Sequence, residues 1–549
     1  MSRTERRRGL GKRAAEELSE VGNQSGERLV GMIDERVDWL DDRLGLQGFA
    51  RKSLNKVFPD HWSFMIGEIA LYSFVILVAT GVFLTFFYVP STAQVVYHGP
   101  YKPLDGQKMS EAYLSSVNLS LSVRAGLLMR QMHHWAADVF IAAIVVHMCR
   151  IFFTGAFRRP RELNWMIGTM LLFLSIANGF LGYSLPDDLI SGTGIRIAFS
   201  ITLSIPVVGS YLAFFLFGGN YPGTGLIPRF FILHVLLLPA IIAGLIGAHL
   251  AIMWRQKHTQ FPGNGATNRN VVGSVMWPTY AFKTLGYFFL TVSVLALLGG
   301  FAQINPIWQY GPYIPFHVSY AVQPDWYMGW VDGALRIMPA WEITAFHHMI
   351  PNAFFPGVLM PGLTFALFYF WPFIEDHFTK ESRTAHHVLD LPRDRPVRTA
   401  IGWATLSFYF MLFMASATDV IANAFSISLN VVLWSFRFLV VGVPIIAGFV
   451  AHRVCVELQG WDRRDAHHGT TLILRSPDGS YHSEMAPPRP DDFHPAAPIA
   501  VPEEASYKGP DSEAPSASHG PAADEMSQSH GHAPQGGWLA TLLGRTPRR

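Results

Sequence analysis

Five histidines lie inside two long apolar stretches of the 549-residue chain, where ionisable side chains are costly and usually functional. RQMHHWAADVFIAAIVVHMCR (130–150) holds His133, His134 and His147, and RFFILHVLLLPAIIAGLIGAHLAIMWRQKH (229–258) holds His234 and His249. On a helix a 14-residue step returns a side chain to within about 40° of its starting direction, and a 15-residue step to within about 60°. His133 and His147 are 14 apart, and His234 and His249 are 15 apart. Each pair therefore shares one helix face, with its members about 21–22 Å apart along the axis. His134 is 13 residues from His147, lies about 140° round the helix from it and faces elsewhere. His133 is the partner, and the spacing supplies no job for His134.

As the second and fourth spans of the chain, these stretches run in the same direction. His133 then faces His234 near the outer surface, and His147 faces His249 near the inner one. Two bis-imidazole sites result. Imidazole is a good ligand for haem iron, and a planar macrocycle fits between parallel helices of a bundle. The plain alternative is four histidines each hydrogen-bonded to a neighbouring helix, which gives no reason for matched pairs. Gly67 and Gly81 in the first span, and Gly168 and Gly182 in the third, are also 14 apart. A missing side chain lets a flat ring approach the backbone, or lets helices pack closely in a membrane. Arg130 and Arg150 flank the second-span histidines, placed either to pair with haem propionates or to anchor the span at its two surfaces.

The elements that must carry these residues follow from composition. Half of the chain is hydrophobic and 15% is charged, against about 25% charged in globular proteins, so this is a membrane protein. Lys plus Arg (42) nearly balance Asp plus Glu (40), and no nucleic-acid partner is indicated. Two cysteines, Cys149 and Cys455, exclude a disulfide framework, a CxxC zinc site and a covalent haem attachment within this chain. Residues 1–50 show no apolar core of a cleavable signal. Apolar runs of roughly 20 residues predict eight spans near 62–89, 126–153, 165–185, 232–254, 282–302, 351–373, 401–417 and 431–450. Ile195–Phe217 is apolar too, but Pro206 and glycines break it, so it is predicted to be a bent interfacial hairpin. Arginine and lysine concentrate in alternate loops, at Arg150, Arg158, Arg159 and Arg161, at Arg255, Lys257 and Arg269, and at Lys380, Arg383, Arg393, Arg395 and Arg398. Those loops are expected to be cytoplasmic, with both termini inside. Leu29, Met32, Ile33, Val37 and Leu40 recur at helical spacing, consistent with a helix lying along the inner surface or a plain solvated helix. From about Ala486 the chain is rich in Pro, Ser, Ala and Glu and is expected to be disordered.

From about Val57 to Val450 the chain resembles cytochrome b, the membrane core of the respiratory and photosynthetic cytochrome bc complexes. The carriers are RxxH-x13-H in the second span, H-x14-H in the fourth, the paired glycines, NWMIG (164–168), GYSLPDD (182–188) and QPDWY (323–327). The longer fourth-span spacing and GYSLP look like the photosynthetic branch. A single chain bearing all eight spans looks like the respiratory one. NKVFPDHWSFMIGEIALYSF, FFTGAFRRPRE and QKHTQFPG most resemble the cytochrome b of actinobacterial menaquinol oxidases.

The resemblance implies an all-α, polytopic membrane protein with eight transmembrane helices, the first four forming a dihaem bundle. The expected organisation is a cytoplasmic amphipathic or polar segment (1–56), the haem-binding bundle (57–257), the later spans with the outer quinol-site loop (258–452) and a polar, largely disordered cytoplasmic tail (453–549). It implies two b-type haems, His133 and His234 ligating the outer iron and His147 and His249 the inner one. Arg130, Arg150 and Trp165 fall where the family contacts propionates. The family's P-E-W-Y loop is here Pro324, Asp325, Trp326 and Tyr327, with the carboxylate one methylene shorter. Quinol oxidation releases two protons, so a base must stand within hydrogen-bond reach of the bound hydroxyl; Asp325 is the expected base, beside Tyr327. Asp332, where many relatives carry Tyr, is a second candidate acceptor. Lys283 matches a family Lys beside the inner quinone, but the usual neighbouring Asp is Thr284, leaving His258 or water to assist protonation there.

The expected partners are a Rieske iron–sulfur subunit, a c-type cytochrome subunit, a second copy of the chain and a terminal cytochrome oxidase, in the lipid of a bacterial plasma membrane. The expected activity is that of a quinol–cytochrome c oxidoreductase working by a Q cycle. Two other readings remain at this stage. A transporter or proton channel would string its His and Asp along one water-filled path, and a dihaem membrane anchor of another oxidoreductase would lack the quinol loop.

Overall fold

The computed structural model describes residues 39–486, apart from 40, 44, 220–222, 264, 318–322, 346–347, 381–384, 469 and 476–480. The expected surface helix around Leu29–Leu40 and the expected disorder beyond Ala486 lie outside the described residues. Among those described, eight helices are long and apolar enough to cross a membrane. They are α1 (Trp62–Thr85), α2 (Gly126–Phe153), α3 (Glu162–Ser184), α4 (Leu226–Gln256), α5 (Ala281–Phe301), α6 (Phe355–Thr379), α7 (Pro396–Ala415) and α8 (Leu429–His468). In hydrocarbon every backbone N–H and C=O must be satisfied within its own segment, which leaves helices as the available spanning form here. The chain is an all-helical, multi-pass membrane protein.

The segment predicted to be an interfacial hairpin folds as two short helices, Leu189–Leu203 and Gly209–Phe217. Asp188 starts the first through a reciprocal cap in which its carboxylate accepts from Ile190 N–H and the Ser191 hydroxyl pairs with its own backbone. The segment after residue 452 is helical as far as His468, and Thr470–Arg475 then pairs antiparallel with Tyr481–Ala486. A separate unit holds the helix Leu46–Leu54.

α1 packs on α2, and α4 packs on α3, around a core that includes Ala70, Phe140, Ile144, Trp165, Leu172 and Ile242. α2 and α4 are not packed closely on each other, so the histidine-bearing helices face across a gap. A second core joins α7 and α8 through Leu412, Ala415, Val432 and Phe436, against the helix Gly329–Ile337. That helix lies so close to α7 that a methyl on Gly333 would overlap the Leu412 carbonyl. The loop before it, which carries Asp325, is thereby brought against the bundle.

One local irregularity answers a detail of spacing. Residues Leu233–Leu237 of α4 form a π-helical turn, which takes up one extra residue. Pro239 follows and has no N–H to offer the Val235 carbonyl, which loosens the ladder there. With one residue absorbed, the 15-residue step from His234 to His249 turns the helix as a 14-residue step would. The two histidine pairs then share one phase.

Candidate functional site

Each predicted histidine faces a predicted glycine. His133 lies against Gly81, His234 against Gly182, His147 against Gly67 and His249 against Gly168. The pairing places His133 and His234 at one depth of the bundle. Their ring centroids are 6.1 Å apart and their planes are inclined by 77°. Two metal–imidazole bonds of about 2.0 Å, plus about 1.1 Å from each nitrogen to its ring centre, require about 6 Å. The separation suits one metal between the rings.

The hydrogen bonds also set the ring tautomers. Thr80 Oγ1 donates to the Ile76 carbonyl at 2.7 Å and so accepts at 2.9 Å from His133 Nδ1–H. His234 Nδ1–H donates to the Asn178 carbonyl at 2.9 Å. Both Nε2 atoms are left with a lone pair, the form that binds a metal. In the other pair, His147 Nδ1 and His249 Nδ1 are buried without a hydrogen-bond partner.

A cavity of about 280 Å³ opens between the first pair, lined by His133, His234, Gly81, Gly182 and Arg130 among others. Arg130 gives Nη2 to the Asn305 carbonyl at 3.1 Å, but its Nε is buried without a partner, as are Nε and Nη2 of Arg150. Buried guanidinium donors left unmatched are expensive, and an anionic group beside each imidazole pair would satisfy them. The residues present therefore fit two haems. The Trp165 indole N–H is given to the Phe368 carbonyl at 2.5 Å.

Asp325, Tyr327 and Asp332 come together on a second cavity of about 260 Å³, together with Pro324, Tyr183 and Arg336. Asp325, Tyr327 and Tyr183 also line the histidine cavity, so the two spaces share a wall. Both oxygens of Asp325 are held. Oδ2 accepts from the Tyr327 hydroxyl at 2.9 Å, and Oδ1 lies 3.0 Å from His134 Nε2. Burial, reinforced by Asp325, pushes the Tyr327 hydroxyl well above its ordinary range. Asp332 is paired with Arg336 at 2.7 Å, and Arg336 also reaches Asp419 at 3.0 Å. Burial raises the Asp332 carboxyl in spite of that cation. Tyr183, Arg336 and Asp419 were not named as site residues from the sequence, and His134 was separated from His133 but given no role. Only His134 carried a signal, as a polar side chain in a span turned away from its neighbour's face.

Around Lys283 the structure supplies acids that the local sequence lacks. Lys283 pairs with Asp60 at 2.7 Å. That bond, followed by one from the Ser274 hydroxyl, holds Asp60 below the usual carboxylate range. Thr284 and Tyr280 each donate a hydroxyl to Glu68 at 2.5 Å. Both carboxylates come from the start of α1 or just before it, more than 200 residues away in sequence. His258 packs against Phe58, with ring centroids 4.5 Å apart and planes inclined by 58°.

Residues 138–312 match the family described as cytochrome b(N-terminal)/b6/petB. The chain is 52% identical over 467 residues to the "Cytochrome bc1 complex cytochrome b subunit" of Mycobacterium tuberculosis, covering 84% of each chain. It is 48% identical over 463 residues to the protein of the same name from Streptomyces coelicolor, covering 84% of this chain and 85% of the other. This chain is a cytochrome b subunit of the cytochrome bc1 family. A solved chain from "Hyperthermophilic respiratory Complex III" shares the fold, with a TM-score of 0.55 at 20% identity over 76% of this cytochrome b and 99% of that chain. The family implies b-type haem and a place in a multi-subunit respiratory complex, as a membrane component of electron transport.

Proposed function

We propose that this cytochrome b oxidises a quinol, menaquinol by likeness to its actinobacterial relatives, in the cavity bounded by Asp325, Tyr327 and Asp332. The observation that carries the reading is the shared wall, in which the Asp325 carboxylate borders both the second cavity and the space between the histidines. A quinol gives up two protons and two electrons. Asp325 stands where a base is needed, Tyr327 orients it, and Arg336 holds Asp332 as a second acidic group in the same cavity. Two b-type haems, ligated by His133 with His234 and by His147 with His249, would supply one-electron carriers at two depths. Arg130 and Arg150 would hold their propionates.

One electron of the quinol leaves to a Rieske iron–sulfur subunit and onward to a c-type cytochrome, both on other chains, since Cys149 and Cys455, on α2 and α8, form neither a CxxCH nor a paired-cysteine cluster motif. The other electron would go to a quinone near Lys283, Asp60 and Glu68; two such electrons, from two quinols oxidised, reduce it with uptake of two protons from that side, and the net result is charge separation by a Q cycle. The 57–257 bundle and the 258–452 segment divide these tasks. The assembly is a homodimer in a bacterial plasma membrane, with both termini cytoplasmic and a terminal oxidase associated. The paired histidines across two helices, and the cavity beside the loop, favour this reading over a proton channel or a simple haem anchor.

The test is quinol-dependent reduction of cytochrome c by the purified complex containing this chain. Turnover that needs the quinol and falls in Asp325→Asn supports the proposal. A complex that holds its haems but does not oxidise menaquinol or ubiquinol refutes it.

A further inference from the structure

His134 lies on α2 beside a candidate haem ligand yet is left idle by the haem reading, and it makes a hydrogen bond that ties Asp325 to the transmembrane bundle. Asp325 sits outside regular structure, just before the short turn Trp326–Met328, so no ladder of backbone bonds fixes its side chain. Its two oxygens are fixed from opposite directions, by Tyr327 two residues along the same loop and by His134 from α2, 191 residues away in sequence. His134 lines only the histidine cavity of the two, whereas Asp332 and Arg336 line only the other. The imidazole therefore holds the carboxylate from the side of the candidate haem. Both partners of this contact are largely shielded, with side chains 15% and 16% exposed, so the bond is not diluted by solvent as a surface pair would be. Asp138, one turn along α2, brings a third side chain within 4.8 Å of the pair.

We propose that His134 is a positioning residue for quinol oxidation: by donating Nε2–H to Asp325, it locks the loop carboxylate into the wall between the two cavities. The inference rests on the quinol-oxidising function proposed above. A loop base must be held within a fraction of an ångström of its working place, and small misplacements far from the reacting atoms are costly. Because His134 follows His133 on the same rigid helix, the bond sets the distance from Asp325 to the neighbouring iron-ligand position. Tyr327 cannot do this, since it moves with the loop.

The experiment uses the assembled complex with His134→Gln, which keeps an N–H donor at similar reach, and His134→Leu, which keeps bulk without a donor. Haem spectra, kcat and KM for menaquinol are measured for each, alone and combined with Asp325→Asn. His134→Leu is expected to keep both haems and to lower kcat by roughly ten- to a hundredfold, the effect of one lost hydrogen bond to a charged group, with KM changed less than about threefold. His134→Gln should recover most of that loss. In the Asp325→Asn background, His134→Leu should add less than about a twofold effect. Wild-type kcat in His134→Leu, equal impairment by Gln and Leu, or full additivity with Asp325→Asn would each overturn the proposal. Should the Leu variant fail to assemble, His134→Asn, whose amide is too short to reach Asp325, takes its place and must be slow where Gln is not; equal rates overturn the proposal. A wild-type complex with full haem and no quinol oxidation is a failure of the underlying function, and it is read from the wild type alone.

Discussion

Alanine substitution at the four paired glycines should give a graded loss of haem, and the order follows from the geometry. A methyl at Gly182 would stand 2.9 Å from Nε2 and 3.0 Å from Nδ1 of His234, inside any normal contact. At Gly67 and Gly81 it would stand 3.2 Å from His147 and His133, so those rings must give by a few tenths of an ångström. At Gly168 the nearest atom is His249 Cε1 at 3.8 Å, an ordinary contact. Overpacking of this kind costs about 1–3 kcal/mol. At about 1.4 kcal/mol per factor of ten, Gly182→Ala should weaken retention of the group bound by His234 about 5- to 150-fold, and Gly168→Ala should change it little. The assay is haem per chain by alkaline pyridine difference spectroscopy on the purified complex, with redox titration to say which haem is lost. Gly182→Ala should lose the haem of the His133–His234 pair first. Loss in Gly168→Ala with full retention in Gly182→Ala would refute the assignment of glycines to rings.

Asp325→Asn should retain both haems and slow quinol oxidation by about 10²–10⁴-fold, checked by steady-state cytochrome c reduction; normal turnover would move the base elsewhere. Thr80→Val removes the acceptor of His133 Nδ1–H, makes that imidazole a weaker electron donor and should raise the midpoint potential of the haem it ligates; an unchanged redox titration would sink the tautomer argument. Burial lifts the Asp188 carboxyl from its ordinary 3.8 to about 6, so the folded state binds its proton more tightly than the unfolded state. That residue therefore costs stability increasingly as pH rises from about 4 to about 6, by about 3 kcal/mol in full. Asn keeps the cap and cannot ionise, so Asp188→Asn should melt higher than wild type near pH 7.5 and by much less near pH 4.5. A gap independent of pH would contradict this.

The histidine register was legible because it depends only on helical period and on the cost of polar groups in hydrocarbon. His133 was separated from His134 by phase alone, and the glycines at the same repeat were picked out with it. The π turn at Leu233–Leu237 was not legible, since periodicity assumes 3.6 residues per turn throughout; only Pro239 hinted at it. The eight long apolar helices and the helix break at Pro206 followed from run length and composition. Contacts between distant segments did not follow. Nothing local to Thr284 says that Glu68 will face it, and nothing near Asp325 names His134 as its partner. Glu68 had a signal of its own, an acid inside an apolar span, that spacing arguments passed over.

The central claim is that four histidines on α2 and α4 hold two b-type haems one above the other. Haem quantification of the purified chain in its complex, with reduced-minus-oxidised spectra of wild type, His133→Ala and His134→Ala, tests it most directly. The account predicts two b-type haems per chain in the wild type, one after loss of His133 and two after loss of His134. One haem or none in the wild type, or haem loss in His134→Ala with retention in His133→Ala, would contradict it.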